Sequence, residues 1–157
     1  MICKENDEEM ITKQHMIGIQ GIDEQHKELL VLLDELLGYL GKEKSSYDCV
    51  TASLKKIMEN LKSHYATEEK LMEMIGFSGL EEHKIRHEKL YRQIADAAET
   101  LEKSKNFNIT DTIRIIREAD LEHIASCDAE YMAHVDNLME LKQKYNITSV
   151  RAQILTK

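Results

Sequence analysis

A chain of 157 residues with 29 acidic and 21 basic side chains, 42% apolar content, no proline and no tryptophan has the size of one compact domain and the composition of an all-α one. Its net charge of −8 without a basic stripe argues against nucleic-acid binding, and its longest apolar run, Leu29 to Leu33, is broken by Asp34, far short of the roughly 20 residues of a membrane span. Three irregularly spaced cysteines, Cys3, Cys49 and Cys127, and an acidic start at Glu5, Asp7, Glu8 and Glu9 predict reduced thiols, no signal peptide and a cytoplasmic protein.

Residues 1 to about 21 are expected to form an arm. The first helix opens near Ile22 and Asp23 and closes at Gly41, with Ile22, His26, Leu29, Leu33, Leu37 and Leu40 on its inward stripe. A polar loop around Ser45 and Ser46 leads to a second helix over 47–75, with Leu54, Ile57, Leu61, His64, Glu68, Leu71 and Ile75 inward. Gly76 and Gly79 bracket a tight turn. The third helix, over 80–104, turns Leu80, His83, His87, Leu90, Ile94, Ala97 and Leu101 inward. A connection over 106–110, with Thr110 or Asp111 as N-cap, leads to the longest helix, about 112–145, and a tail over 146–157. Connections this short join antiparallel neighbours, so the expected architecture is an up-down-up-down antiparallel four-helix bundle, about 22–145, in a single domain over 1–157. Met72, Met74, Met132 and Met139 read as adaptable core filler.

The inward stripes carry an anomaly. His26, His64, Glu68, His83, His87, His123 and Asp128 stand where leucine and isoleucine belong, and a buried carboxylate needs a partner. Measured from the helix ends, the four helices bring their histidines to one height. His26 lies 15 residues before Gly41, His64 17 after Tyr47, His87 17 before Ser104 and His123 13 after Thr110. At about 1.5 Å of rise per residue these share one transverse layer. His64 with Glu68 and His83 with His87 are four apart, one face each. On the fourth helix the apolar pattern Ile109, Ile113, Ile116, Asp120, His123 slips by one residue before Asp128, Tyr131, Val135 and Leu138. Such a slip predicts a π-bulge that turns Asp128 inward. Five imidazoles and two carboxylates without a thiolate exceed a tetrahedral zinc site and suit two iron ions with bridging carboxylates. Six-coordinate ions sharing both carboxylates and an oxo or hydroxo bridge leave one position vacant for a small ligand.

The ordered pieces Ile22-Asp23-Glu24-Gln25-His26, His64-Tyr65-Ala66-Thr67-Glu68-Glu69, His83-Lys84-Ile85-Arg86-His87 and His123-Ile124-Ala125-Ser126-Cys127-Asp128 with Tyr131 resemble the hemerythrins, particularly the bacterial hemerythrin-like proteins, over roughly residues 17–140. The resemblance implies that His83, His87 and His123 hold the coordinatively saturated iron and His26 and His64 the open one. Glu68 and Asp128 would bridge, and O2 would bind at the open position. Departures from the family pattern fall around the ligand pocket, for which Ala119, Asp120 and Ile124 are the candidate lining residues. Ala119 stands where a tryptophan is usual, Asp120 where an apolar residue is usual, and Leu90 where a phenylalanine is usual. The arm offers only Ile11, His15 and Met16 near its usual aromatic position, and His15 could cover the site. Ala119 and Asp120 are therefore expected to open and wet the pocket.

The leading expectation is an O2-binding protein for storage, delivery or scavenging. The alternative is a di-iron redox enzyme or sensor acting on O2, peroxide or nitric oxide, with Asp120 altering the pocket. A ferritin-like site is disfavoured, because that fold wants paired Glu-x-x-His motifs. The nearest pieces here are Asp23-Glu24-Gln25-His26 and Asp120-Leu121-Glu122-His123.

Overall fold

The computed structural model describes residues 16–41, 46–104 and 109–144. Residues 1–15 of the expected arm, with Ile11 and His15, and the expected tail lie outside the described residues, as do Ser45, most of the connection before Thr110, and Tyr145. Four helical rods form the bundle: α1 (Gln20–Leu40), α2 (Tyr47–Ile75), α3 (Leu80–Ser104), and a fourth rod built from α4 (Thr110–His123), a π-helical turn (Ile124–Asp128) and α5 (Ala129–Lys144). Contacts run α1 to α2, α2 to α3, α3 to α4 and α4 back to α1, which closes the ring. No described helix is long and apolar enough to cross a membrane.

The ends follow local chemistry. Helix α1 begins at Gln20, two residues earlier than the apolar stripe predicts. Asp23 explains the difference: its carboxylate reaches back to accept hydrogen bonds from Ile17 N at 2.7 Å and Gly18 N at 3.1 Å, organising the entry turn. Gly18 has φ of 87° and Gly76 of 66°, left-handed conformations that favour glycine. At Gly76 the chain leaves α2 with Gly76 N donating to Glu73 O and Phe77 N to Met72 O, the paired bonds that satisfy a helix C-terminus. Helix α4 is preceded by Ile109 and has no side-chain cap, so neither Thr110 nor Asp111 plays the expected capping role.

The core cluster includes Leu29, Leu33, Leu36, Leu54, Ile57, Leu61, Ile94, Leu101 and Ile113. Leu36 is fully buried, whereas Leu37 and Leu40 are only partly so. Likewise Met72 is buried while Leu71 and Ile75 are intermediate. A stripe stepped along one line misses the true inward face because a bundle helix buries a broad sector set by its neighbours. Met74, expected as core filler, is instead 52% exposed. Beyond the polar layer, buried Ile22, Met72, Tyr131 and Val135 add apolar packing.

Candidate metal centre

All seven polar residues of the inward stripes are buried, and their side chains converge. Two groups of mutually close donor atoms form. One comprises Glu68, His83, His87, His123 and Asp128, the other His26, His64, Glu68 and Asp128. Glu68 and Asp128 belong to both, and each histidine presents its Nε2 to a carboxylate. Asp128 divides its oxygens: Oδ2 lies 3.3 Å from His26 Nε2, and Oδ1 lies 3.2 Å from both His83 Nε2 and His123 Nε2. Glu68 Oε2 lies 3.2 Å from His87 Nε2, 3.5 Å from His64 Nε2 and 3.8 Å from His83 Nε2. Its Oε1 lies 3.8 Å from His26 Nε2.

The π-helical turn Ile124–Asp128 makes this convergence possible. His123 and Asp128 are five residues apart, which on a regular helix separates their directions by about 140°. One wide turn inserts the extra residue that returns Asp128 to the His123 side. The apolar pattern resumes at once with buried Tyr131 and Val135.

Outer contacts hold the donors. The Tyr131 hydroxyl donates to Glu68 Oε1 at 2.6 Å. His87 Nδ1 is 3.0 Å from Glu69 Oε1, and His64 Nδ1 is 3.3 Å from Gln25 Oε1. Such partners orient imidazoles and tune their basicity. Glu69 and Gln25 had no role in the sequence reading. Their only signal was adjacency, Glu69 following Glu68 and Gln25 preceding His26. Tyr65 instead stacks on His87, with centroids 3.8 Å apart and planes 11° apart. Cys127 is buried beside Arg86, whose Nη1 donates to its Sγ at 2.7 Å. His134 Nε2 is 3.2 Å from Ile75 O and belongs to neither group.

Asp120 lies against an apolar crevice that also takes in Leu29, Leu33, Leu61, Leu90 and Tyr65. Ala119 and Ile124, the other residues expected in the ligand pocket, do not line this crevice. Ala119 sits one residue, about 100°, away from Asp120 around the helix and packs at the edge of the core, and Ile124 is buried in the π turn. Nor is the crevice opened to water at Asp120, which is only 4% exposed. The surrounding aliphatic side chains close over the carboxyl, and burial pushes it up to about 7.

The electrostatics of the layer suit a cation. Burial is the largest influence on His64 and brings it down to about 4. Burial also opposes a charge on His83, but the closeness of Asp128 and Glu68 outweighs it and raises the imidazole to about 9. Burial opposes ionisation of Glu68 and Asp128 too, yet the imidazoles around them hold both below the usual carboxylate range. Despite this crowding, His26 Nε2, His123 Nε2, Glu68 Oε2 and both Asp128 oxygens are buried without a hydrogen-bond partner. Orphaned lone pairs and ionised carboxylates in one dry layer are what a metal ion satisfies. The spacing agrees: two donors at right angles, each about 2.1 Å from a shared ion, lie about 3 Å apart.

Comparison with known proteins points the same way. The profile of the hemerythrin HHE cation-binding domain matches residues 17–137. The chain is similar to a bacteriohemerythrin of Stenotrophomonas maltophilia (strain R551-3), 28% identical over 120 residues, which are 76% of this chain and 76% of that one. It is also similar to a bacteriohemerythrin of Pseudomonas aeruginosa (strain LESB58), 25% identical over 123 residues, 78% of each chain. No solved structure matches significantly. With a family profile running from before α1 into α5, and a buried histidine–carboxylate cluster at its centre, the chain belongs to the hemerythrin family.

Proposed function

We propose that the protein holds two iron ions and binds O2, serving oxygen storage, delivery or scavenging in the cytoplasm. His83, His87 and His123 hold one ion, His26 and His64 the other, and Glu68 and Asp128 bridge them beside an oxo or hydroxo group. The observation that carries this reading is the unequal division of five Nε2 atoms around two shared carboxylates. Three nitrogens serve one group and two the other, so the His26 and His64 side has one protein donor fewer. That is the side on which a small ligand binds. Imidazole and carboxylate donors without thiolate favour iron over a structural zinc. Such a pair of ions, when bound, supplies the electrons that make O2 binding a redox event. The protein's own residues do the rest. Tyr131 fixes Glu68, Glu69 and Gln25 fix the rings of His87 and His64, and the aliphatic side chains around the crevice keep water away.

The test is the visible spectrum of anaerobically reduced, iron-loaded protein before O2, after O2, and after its removal. Colour that appears with O2 and fades on degassing supports a reversible carrier. Direct passage to a stable oxidised spectrum supports the second reading, a redox enzyme or sensor for O2, peroxide or nitric oxide. Buried Asp120 favours that second reading, because a carboxyl group is a ready proton donor or acceptor in an otherwise aliphatic crevice.

A further inference from the structure

The two sides of the cluster are backed unequally. On the three-nitrogen side, His87 Nδ1 lies 3.0 Å from Glu69 Oε1, and the Tyr65 ring stacks on the same imidazole. Tyr65 and Glu69 are four residues apart on α2, so one helix face grips the His87 ring by its face and its edge. On the two-nitrogen side, His64 Nδ1 lies 3.3 Å from Gln25 Oε1, and His26 Nδ1 is buried without a hydrogen-bond partner. Neighbours orient the Gln25 amide: its Nε2 donates to Thr67 Oγ1 at 3.4 Å, and Thr67 Oγ1 donates in turn to Ser63 O at 2.8 Å. The amide oxygen is thereby left for His64. An anion stands behind one side of the cluster and a neutral dipole behind the other.

We propose that Glu69 is a positioning residue that sets the redox balance of the centre: acting through His87, it lowers the reduction potential of the ion on that side, and neutral Gln25 gives the ion beside His64 no such bias. Both imidazoles turn Nε2 toward Glu68 Oε2, so Nδ1 carries the proton that each outer oxygen accepts. A hydrogen bond to a carboxylate is charge-assisted and roughly twice as strong as one to a neutral amide. It moves electron density through the ring onto Nε2 and makes His87 the stronger donor. A stronger donor with negative charge behind it favours a ferric over a ferrous ion. The Glu69 side chain is 29% exposed, so solvent screens part of its charge, but its bond to His87 is direct. The inference rests on the reading of the cluster as a di-iron centre.

Iron-loaded, full-length protein is reduced with dithionite without air and oxidised stepwise with ferricyanide. Each ferrous ion gives one electron to the oxidant, and the visible spectrum against the solution potential reads the balance. Wild type is compared with Glu69→Gln, which keeps the length and an accepting oxygen, and with Gln25→Glu, which puts a charge behind His64. Glu69→Gln is expected to shift the ferric-to-ferrous ratio at fixed potential about tenfold toward ferrous, a rise of about 59 mV for a one-electron step. Gln25→Glu shifts the balance the opposite way. A merely structural Glu69 would weaken ferrous and ferric binding by the same factor; an unchanged or lowered potential in Glu69→Gln therefore overturns the proposal. Should Glu69→Gln hold no iron, Gln25→Glu decides: a lowered potential supports the proposal and an unchanged one overturns it. Iron content by elemental analysis separates the two levels. Wild type with two irons per chain keeps the di-iron reading whatever the variants do, and wild type without them overturns that reading and the role of Glu69 with it.

Discussion

The Tyr131 hydroxyl donates a 2.6 Å hydrogen bond to Glu68 Oε1, joining α5 to α2 inside the polar layer. Both side chains are fully buried, so water cannot replace either partner. Tyr131→Phe keeps the ring, which packs edge-on to Phe77 at 6.4 Å, and removes only the donor. It is expected to cost about 1–3 kcal/mol of stability and to weaken metal binding about tenfold or more. Denaturant unfolding and competition with a chelator check the two effects separately; wild-type values in both would show that the bond contributes neither.

His83 and His134 distinguish a cluster histidine from a structural one. His83 Nε2 lies 3.2 Å from Asp128 Oδ1, whereas His134 faces the backbone carbonyl of Ile75. His83→Ala is expected to lose much of the bound iron, and His134→Ala to retain it, as measured by elemental analysis of purified protein. Equal iron in the two variants would undo the ligand assignment.

The π turn can be removed by deleting one residue. Ser126 is exposed within it and donates to Glu122 O at 2.6 Å. Its deletion restores regular α-helical register and sets Asp128 four positions after His123, about 40° away and still on the same face. The variant is expected to remain largely helical by circular dichroism and to keep most of its bound metal. Loss of metal with helix content unchanged would mean that the wide turn itself, beyond the direction it gives Asp128, is needed at the centre.

Asp120 makes stability depend on pH in a predictable direction. Its ordinary value is 3.8, and burial in the folded protein pushes it up to about 7. Below both values the carboxyl is protonated in either state and carries no penalty. Between them the unfolded chain ionises first, so stability falls as pH rises. Above pH 7 the penalty levels off at about 4 kcal/mol, from about 1.4 kcal/mol for each unit of difference. Asp120→Asn does not ionise. Its stability advantage over wild type, measured by urea unfolding of metal-free protein, should grow from pH 4 to pH 7 and then hold constant. A pH-independent difference would contradict the buried, neutral-favouring environment.

Much of this architecture was legible because helices report themselves locally. Gly41 and Gly76 stop α1 and α2 where the sequence reading puts them, and α2 and α3 match the expected ranges. The slip between His123 and Asp128 foretold the π turn, since a one-residue change of phase in the apolar pattern has few other physical causes. The start of α1 was less legible, because it depends on Asp23 reaching back to backbone groups before the helix.

The sequence by itself determined the four rods, the inward placement of five histidines and two carboxylates, and their common height. Periodicity measures direction around one helix axis and rise along it, and those quantities are local. The tertiary structure decided the rest: which nitrogens gather around which carboxylate oxygen, how Asp128 divides its oxygens, that Glu69 meets His87, and that Asp120 is sealed among leucines instead of reaching water. Those relationships depend on the distance and rotation between helices, which packing of whole faces sets and no single stripe contains.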